Sequence, residues 1–354
     1  MFSTLPDPRA SNARHRLSDL MFIALAASLC GAQSAVDYAQ FARSKRGLLE
    51  TFFGPFDPPS HDTFSRLFRR LDPEAFAQAF ATFSKGFAVA LGEVVALDGK
   101  AMRRAFEAGG RAFPPIIVSA WAAEARLVLG ALKAEARADE GEAATAVRLI
   151  GMLDIEGALV TGDALHCTRD MTAAIRARGG DYVLALKGNR GPLKAAAEAV
   201  LAEASHAPAA CTEEISHGRH ETRTARVVAI GEEAERHGFE GLSHVAEITA
   251  VRNGSAPTRR LFISSRALDP GDMLAVTRAH WSVENSLHWS LDVIFGEDQM
   301  RARKDHAPAN IALINRLAKT LLERIDDPKT SIRGRIKKCA WEDDYLTKAI
   351  SHMR

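Results

Sequence analysis

Cysteine is scarce in this chain of 354 residues, which has only four, all far apart. No two of them have the C-x-x-C spacing typical of a cysteine zinc site, and a chain of this length buries enough surface to fold without disulfides. We therefore expect four reduced thiols in a cytoplasmic protein, with neither a disulfide framework nor a metal held by cysteines.

Long apolar runs are missing as well. The run at residues 20–30 has 11 residues, fewer than the roughly 20 that a membrane-spanning helix needs. Arginines before it and small residues after it imitate a secretory signal. Ser18 and Asp19 at its start are instead typical of a helix N-cap. The sequence thus predicts a buried helix, and a protein that is neither secreted nor held in a membrane.

An excess of charge of one sign is also absent. The 46 Lys and Arg residues are balanced by 44 Asp and Glu residues, so the formal net charge of +2 excludes no class of partner. Basic residues are nevertheless concentrated in places. Residues 301–354 contain 13 Lys or Arg and 7 Asp or Glu, and we expect residues 326–354 to form a basic C-terminal tail.

The first ninety residues have the pattern of an all-helical domain. Apolar residues fall at helical spacing over residues 64–71, and basic side chains take the other faces of that helix. These basic residues are Arg66, Arg69 and Arg70. Two short helices with a row of arginines occur in DNA-reading modules, and they also occur in plain helical bundles with a solvated basic face. On this pattern alone the bundle is favoured.

The pattern changes to strands at Val94. Three strands, a helix, a strand, a second helix and a fifth strand predict a mixed sheet with helical crossovers, and hence an α/β fold. The predicted strands are 94–97, 115–121, 126–132, 158–161 and 182–186. Residues 191–266 interrupt this pattern with a helix, a polar Ala-rich loop and three strand-like runs, so we expect an insertion there. Helices follow over about 272–294 and 308–325.

Three carboxylates stand out by their position. Asp98 and Asp163 each follow an apolar strand, and Glu284 lies within a largely apolar helix. Side chains at the ends of neighbouring parallel strands meet at one edge of a sheet, where α/β proteins bind ligands. Clustered carboxylates repel one another unless a cation lies between them, and oxygen ligands suit Mg²⁺ or Mn²⁺. A third carboxylate allows a second ion about 3.5–4 Å from the first, the arrangement used for phosphoryl transfer.

Each of these residues also has a purely structural explanation. Asp98 begins a common Asp-Gly turn dipeptide, Asp163 could cap the following helix, and Glu284 alone could be a surface residue. His280 and His288 lie one turn either side of Glu284, which makes a zinc site conceivable. The spacing is not H-E-x-x-H and no general base is evident, so zinc is disfavoured.

Several short motifs surround these carboxylates. In the second part of the chain they are ALDGK at 96–100, VTGDA at 160–164, DYVLALKGN at 181–189, HWSVENSLHWSLDV at 280–293, FGED at 295–298 and WEDDYL at 341–346. In the first part they are DPR at 7–9, LCGA at 29–32, PSHDTF at 59–64 and FRRLDP at 68–73. Together they resemble the DDE transposases of bacterial insertion sequences, in particular the subgroup of H-repeat-associated proteins. The resemblance covers nearly the whole chain.

The resemblance implies an organisation for the chain. Residues 1–90 would form an all-helical transposase-associated domain that binds DNA. Residues 91–325 would form a ribonuclease H-like catalytic domain, with the strand-rich insertion at about 191–266 and the basic tail after it.

The resemblance also implies an activity. Carried over by motif, Asp98, Asp163 and Glu284 become a catalytic triad that binds Mg²⁺ or Mn²⁺. The reaction is cleavage of phosphodiester bonds at the ends of a mobile element, followed by attack of the released 3′-hydroxyl on target DNA. The partners are double-stranded DNA, at the terminal inverted repeats and the target, and further copies of the chain assembled on that DNA. No membrane partner is expected, and the location is the bacterial cytoplasm, with the nucleoid.

One departure from the wider superfamily concerns the residues around the Glu. That superfamily often has a Tyr, an Arg and a Lys at offsets where this chain has Thr277, His280 and Leu291. His280 and His288 are therefore the candidates for contacting the DNA end. Other predicted phosphate contacts are basic residues near the motifs, namely Lys100, Lys187, Arg301 and Arg303.

Two other functions stay open from the sequence. A metal-dependent phosphatase acting on small molecules also begins with an Asp at a strand end, but the haloacid-dehalogenase pattern requires a second Asp two residues on, where this chain has Lys100. An inactive, DNA-binding relic is disfavoured because all three acids are present. No convincing Ser/His/Asp or Cys/His set is evident, as expected where water rather than a side chain is the nucleophile.

Overall fold

A computed structural model describes residues 1–87, 93–105, 114–134, 141–216 and 218–353. Its architecture is mixed α/β, as the sequence predicts. The predicted domain boundary between residues 90 and 91 lies outside the described residues. Within them, no helix is both long enough and apolar enough to cross a membrane.

The described N-terminal part is helical, as predicted. Its helices are α1 (Leu17–Leu29), α2 (Ala35–Ser44), α3 (Arg46–Phe53), α4 (His61–Arg70) and α5 (Pro73–Ser84). The hydroxyl of Ser60 caps α4 by accepting from the Thr63 amide. The carboxylate of Asp72 caps α5 by accepting from the Glu74 amide, and Pro73 occupies the first turn. Both are standard helix starts.

The first helix begins earlier than expected. Arg16 is the extended residue that precedes α1, and Asp19 lies in its first turn, where a negative charge favours the helix dipole. The predicted N-cap at Ser18 and Asp19 is therefore wrong. Most residues of α1 are buried, which confirms the prediction of a buried helix.

All strands of the described residues belong to one nine-stranded sheet, in the order β3-β2-β1-β4-β5-β9-β8-β7-β6. They are β1 (Val94–Ala101), β2 (Ile116–Ala122), β3 (Leu127–Ala134), β4 (Leu159–Gly162), β5 (Asp181–Leu186), β6 (Ala209–Ser216), β7 (Arg219–Ala229), β8 (His244–Arg252) and β9 (Thr258–Ser264). Strands β1, β4 and β5 are parallel, and the other neighbours are antiparallel. Helices α6 (Glu142–Met152) and α7 (Arg169–Ala177) connect β3 to β4 and β4 to β5.

The register of β1 and β4 places two of the candidate carboxylates at one edge of the sheet. Leu97 lies opposite Gly162, so Asp98 and Asp163 are the next residues on neighbouring parallel chains. Strand β4 ends there, whereas β1 continues to Ala101 in antiparallel pairing with β2. The expectation that Asp98 ends its strand is therefore wrong, because β2 supplies ladder partners beyond the end of β4.

The stretch after β5 is rich in strands, as predicted, and its strands extend the sheet. It contains α8 (Gly191–Glu203), α9 (Glu233–His237) and strands β6 to β9, of which β9 pairs with β5. Strand β6 occupies Ala209–Ser216, where the sequence predicts a loop. Its sequence, AACTEEIS, lacks the regular apolar–polar alternation on which strand prediction depends. The status of residues 191–266 as an insertion stays a prediction.

The predicted long helix over 272–294 is interrupted. It consists of α10 (Pro270–His280), a π-helical segment (Val283–His288) and α11 (Trp289–Val293). Such wide turns inside helices are found frequently at functional sites. The interruption lies at the segment that carries Glu284.

One helix ties the N-terminal part to the sheet. Helix α12 (Ala307–Glu323) is buried along nearly its whole length and packs against α1, α4, α5 and β3. The buried apolar residues of the N-terminal helices and of β1 to β3 form one continuous core. The predicted basic tail contains α13 (Ile332–Trp341) and α14 (Asp343–Ser351), which pack on α1 and α12.

Candidate active site

Asp98 lies on β1, with its side chain 22% exposed. Its Oδ1 accepts a hydrogen bond of 2.9 Å from the Gly99 amide. Burial raises the pKa of Asp98 from 3.8 to about 7, and Glu284 contributes next to the increase. A carboxylate in this environment is poorly solvated and repelled by its neighbour, a conflict that a cation would relieve.

Glu284 and His288 come from the π-helical segment and meet Asp98. The Nδ1 atom of His288 lies 3.2 Å from Glu284 Oε2 and 3.6 Å from Asp98 Oδ2. Ligand atoms of these three residues all lie within 4.8 Å of one another. Burial lowers the pKa of His288 to about 4, so its imidazole is neutral at physiological pH, the form that binds metals.

Asp163 follows β4 and lies beside this group rather than in it. Its Oδ1 accepts from the amides of Leu165 at 2.8 Å and His166 at 3.4 Å. The alternative that Asp163 caps the next helix is wrong, because Thr168 caps α7. Asp163 is nevertheless close enough to contribute to the raised pKa of Asp98. The structure thus brings Asp98 and Glu284 together and places Asp163 at the neighbouring strand end.

Two further ionisable residues next to the site are missed by the sequence analysis. Glu142, at the start of α6, has its Oε1 3.6 Å from Nε2 of His166. The same Nε2 lies 4.0 Å from Oδ1 of Asp163. The Asp-x-x-His spacing of residues 163–166 is a sequence signal for His166. Glu142 has no such signal, because only the docking of α6 against β2 and β3 brings its side chain over Gly99 of β1.

His280 does not share the surroundings of His288. Its Nδ1 lies 2.9 Å from Oγ1 of Thr161 on β4, and burial lowers its pKa to about 4. Among the described residues, the compact group of possible metal ligands includes His288 and not His280. The zinc site made of His280, Glu284 and His288 is therefore not formed.

Lys100 is buried, which contradicts its prediction as a phosphate contact. Its side chain is 7% exposed, and its Nζ lies 2.6 Å from Asp292 Oδ1 and 3.5 Å from Asp298 Oδ1. The ammonium is thus paired with two carboxylates of this chain. An interior lysine with such partners is not available to a phosphate on the surface.

The remaining basic candidates lie at the surface. Lys187 lines a cleft of about 360 Å³ with three further basic residues, Lys194, Arg259 and Arg260. The other exposed candidates are Arg66, Arg69, Arg70, Arg301 and Arg303. Two of them have partners. Arg69 pairs with Asp305 at 2.6 Å, and Arg303 donates to the carbonyl of Arg104 at 3.1 Å.

Comparison with known proteins adds independent information. The family profile described as DDE_Tnp_1-associated matches residues 1–84, and that of the Transposase DDE domain matches residues 90–320. "Putative transposase YncI" of Escherichia coli O157:H7 is 32% identical over 366 aligned positions, spanning 99% of this chain and 93% of that protein. "H repeat-associated putative transposase YhhI" of Escherichia coli (strain K12) is 30% identical over 368 positions, spanning 99% and 96%.

One solved structure resembles this chain, but less closely than the two relatives do. The piggyBac transposase, in a synaptic complex with hairpin DNA, aligns with a TM-score of 0.44 and 11% identity, covering 98% of this chain and 74% of that chain. A likeness at this level assigns neither fold nor activity. Family membership instead follows from the profile match over residues 90–320 and from the two relatives, each aligned over 99% of this chain. They show that the chain belongs to the DDE transposase family.

Proposed function

We propose that this DNA transposase cleaves phosphodiester bonds at the ends of a mobile element and joins the released 3′-hydroxyl to target DNA. The observation that carries the proposal is the convergence of Asp98 and Glu284 on His288 Nδ1, at 3.6 and 3.2 Å. These residues come from β1 and from the π-helical segment, so only the fold brings them together.

The donor set fits a divalent cation. Two carboxylates and a neutral imidazole lie within 4.8 Å of one another, and burial, followed by the negative charge of Glu284, raises the pKa of Asp98. We assign Asp98, Asp163 and Glu284 as the carboxylate ligands of Mg²⁺ or Mn²⁺, with His288 as an added nitrogen ligand. When bound, such ions activate water and stabilise the attacking and leaving oxygens of an in-line displacement.

The chain's own residues orient these groups. The Gly99 amide holds Oδ1 of Asp98, which leaves Oδ2 directed at His288. The amide of Leu165 holds Oδ1 of Asp163 in the same way. The side chain of Glu284 is 52% exposed, so a phosphate can approach the site from that side.

The sheet order supports a ribonuclease H-like core. Strands β3, β2 and β1 are antiparallel neighbours, and β4 and β5 follow parallel to β1. Asp98 and Asp163 stand where the parallel pairing of β1 and β4 ends, a position at which α/β sheets bind ligands. In this proposal the strands after β5 are an insertion into that core.

DNA and further copies of the chain are the proposed partners. The exposed arginines of α4 and the cleft lined by Lys187, Lys194, Arg259 and Arg260 offer two phosphate-binding surfaces. The part of the chain that the structure describes holds one compact group of metal-ligating residues. Processing two element ends therefore requires at least two chains. Because the substrate is chromosomal DNA, the proposed location is the cytoplasm.

A gel assay with long DNA that contains the element ends tests this function. Purified full-length protein with Mn²⁺ is expected to nick or cut at the ends and to produce strand-transfer products. DNA binding without cleavage would indicate an inactive relic. Hydrolysis of a small phosphate ester with no action on DNA would indicate the phosphatase. Either result would overturn the proposal.

A further inference from the structure

Trp121 of β2 contacts the chain just before the π-helical segment through its indole nitrogen. Its side chain is completely buried, and Nε1 donates a hydrogen bond of 2.9 Å to Oγ of Ser282. Ser282 directly precedes the π-helical segment and lies two residues before Glu284. A buried indole N–H needs an acceptor, and Trp121 finds it beside the segment that carries Glu284.

The register of the sheet places this contact close to Asp98. Trp121 lies opposite Ala96 of β1, two residues before Asp98. Residues two apart on a strand share a face of the sheet, and so do directly paired residues on neighbouring strands. Trp121 therefore reaches Ser282 on the same face of the sheet that carries the Asp98 carboxylate.

The indole ring is held from a second direction by α12. The Nζ atom of Lys319 lies 4.5 Å from the centroid of the Trp121 ring. The side chain of Lys319 is 0% exposed and pairs with Glu323 at 2.8 Å, and such a desolvated cation is attracted to an indole face. Trp121 is thus fixed by α12 at its ring face and by Ser282 at its nitrogen.

The wide turns of the segment make this attachment important. In a regular helix, the geometry of α10 would determine where Glu284 points, but a π-helical segment breaks that regular geometry. Helix α10 itself packs on β6 and β7, and its last residue, His280, contacts Thr161 of β4. These contacts hold α10, whereas the Trp121 contact holds the chain where the π-helical segment begins.

We propose that Trp121 and Ser282 are positioning residues, whose hydrogen bond sets the direction in which Glu284 approaches Asp98. The inference rests on the proposed function, since the relative position of these carboxylates matters for DNA cleavage only if they act together. A misplacement of about 1 Å can reduce the rate of a reaction about 10²-fold.

Removing the acceptor tests this role. In the full-length protein, Ser282→Ala is expected to reduce single-turnover cleavage of element-end DNA about 10²-fold. It should also weaken Mn²⁺ binding, measured by calorimetry, about tenfold, while the affinity for DNA is unchanged. Ser282→Thr, which keeps the hydroxyl, should restore most of both. Trp121→Phe, which keeps a ring but has no N–H, should match Ser282→Ala, and the double variant should lose little more.

Ser290→Ala is the matched control. It removes a buried hydroxyl of α11 that donates to the carbonyl of Ser286 at 2.6 Å, within the same helical stretch. It should cut DNA and bind Mn²⁺ like the wild type. Thermal unfolding shows that each variant is folded before it is compared.

The possible results separate this inference from the proposed function. A folded Ser282→Ala protein that binds Mn²⁺ and cuts DNA like the wild type would overturn the positioning role and leave the proposed function intact. Equal losses in Ser290→Ala, or no recovery in Ser282→Thr, would overturn it as well. A wild-type protein that cuts no DNA would overturn the proposed function. The Mn²⁺ affinities of the same variants would then decide the positioning role, because they require no catalysis.

Discussion

Lys100 of β1 contacts Asp292 of α11 in the interior, with its Nζ 2.6 Å from Oδ1. Asp298 approaches the same ammonium at 3.5 Å. The contact joins the strand that carries Asp98 to the helix that follows Glu284. It therefore fixes the distance between the two carboxylates on which the proposed chemistry depends.

Replacing this lysine is expected to destabilise the protein. Lys100→Met leaves Asp292 without its cation, at a cost of about 2 kcal/mol. That is less than the ~3–5 kcal/mol of a fully buried pair, because Asp292 is 32% exposed. The free energy of unfolding from denaturant titration measures the loss. Lys187→Met, at an exposed lysine, is the matched control and should leave stability unchanged. A stable Lys100→Met protein with weakened DNA binding would restore the phosphate contact that the sequence predicts.

Neutralising Asp98 is expected to stabilise the metal-free protein. The pKa of Asp98 is raised from 3.8 to about 7, chiefly by burial, so between these values the folded state binds a proton that the unfolded state has released. This contribution to stability is fully present below about pH 4 and is lost as the pH rises through about 7. The variant Asp98→Asn does not lose this stability as the pH rises, because an Asn side chain does not ionise.

Unfolding titrations in EDTA from pH 4 to 8.5 measure this difference. The free energy of unfolding of Asp98→Asn, relative to the wild type, should rise by up to about 1.4 kcal/mol per pH unit until pH 7 and stay constant above it. Asp154→Asn, at an exposed carboxylate before β4, should follow the wild type. Parallel curves for Asp98→Asn and the wild type would mean that Asp98 is well solvated and outside the cluster.

The identity of the metal and the roles of the two histidines can be tested together. Cleavage is expected with Mg²⁺ or Mn²⁺ but not with Ca²⁺, whose bonds of about 2.3–2.6 Å misplace the reacting oxygens. His288→Ala should weaken Mn²⁺ binding at least tenfold, whereas His280→Ala should not, because His280 contacts Thr161 instead. Activity with zinc alone, lost in either variant, would contradict the assignment of the ligands.

The arginines of α4 are expected to bind DNA phosphates. Removing Arg66 or Arg70 should each reduce the slope of log affinity against log salt by roughly 0.9, and Arg69→Ala should have a smaller effect because Asp305 already pairs with it. The full chain is used, since α4 shares a core with α12. Arg236→Ala, on α9, is the control. Unchanged slopes in all α4 variants would favour a plain helical bundle.

Much of the site could be predicted from local sequence. Asp98, Asp163 and Glu284 lie in motifs beside apolar strands or within an apolar helix, and these patterns depend only on neighbouring residues. The position of Glu142 depends on how α6 docks over Gly99, a contact between distant segments that no local pattern records. The burial of Lys100 depends on a similar long-range contact, with Asp292.

Two features of backbone geometry also escaped prediction. The π-helical segment that brings Glu284 and His288 together has the composition of an ordinary helix, so the sequence predicts one. Strand β6 lies at the edge of the sheet and lacks a regular apolar–polar alternation, and its pairing with β7 is what makes it a strand. In both cases tertiary contacts rather than local propensity determine the structure.

Single-turnover cleavage of element-end DNA by Asp98→Asn, Asp163→Asn and Glu284→Gln tests the central claim most directly. Each substitution preserves shape and removes a charge that we propose holds the cations. Each should reduce cleavage by about 10³-fold or more, with little further loss in the triple variant, because the ions act as a unit. Folding and DNA binding should persist, and Asp154→Asn should cut normally. A folded Asp98→Asn or Glu284→Gln protein that cuts DNA at a rate near the wild type would contradict the claim.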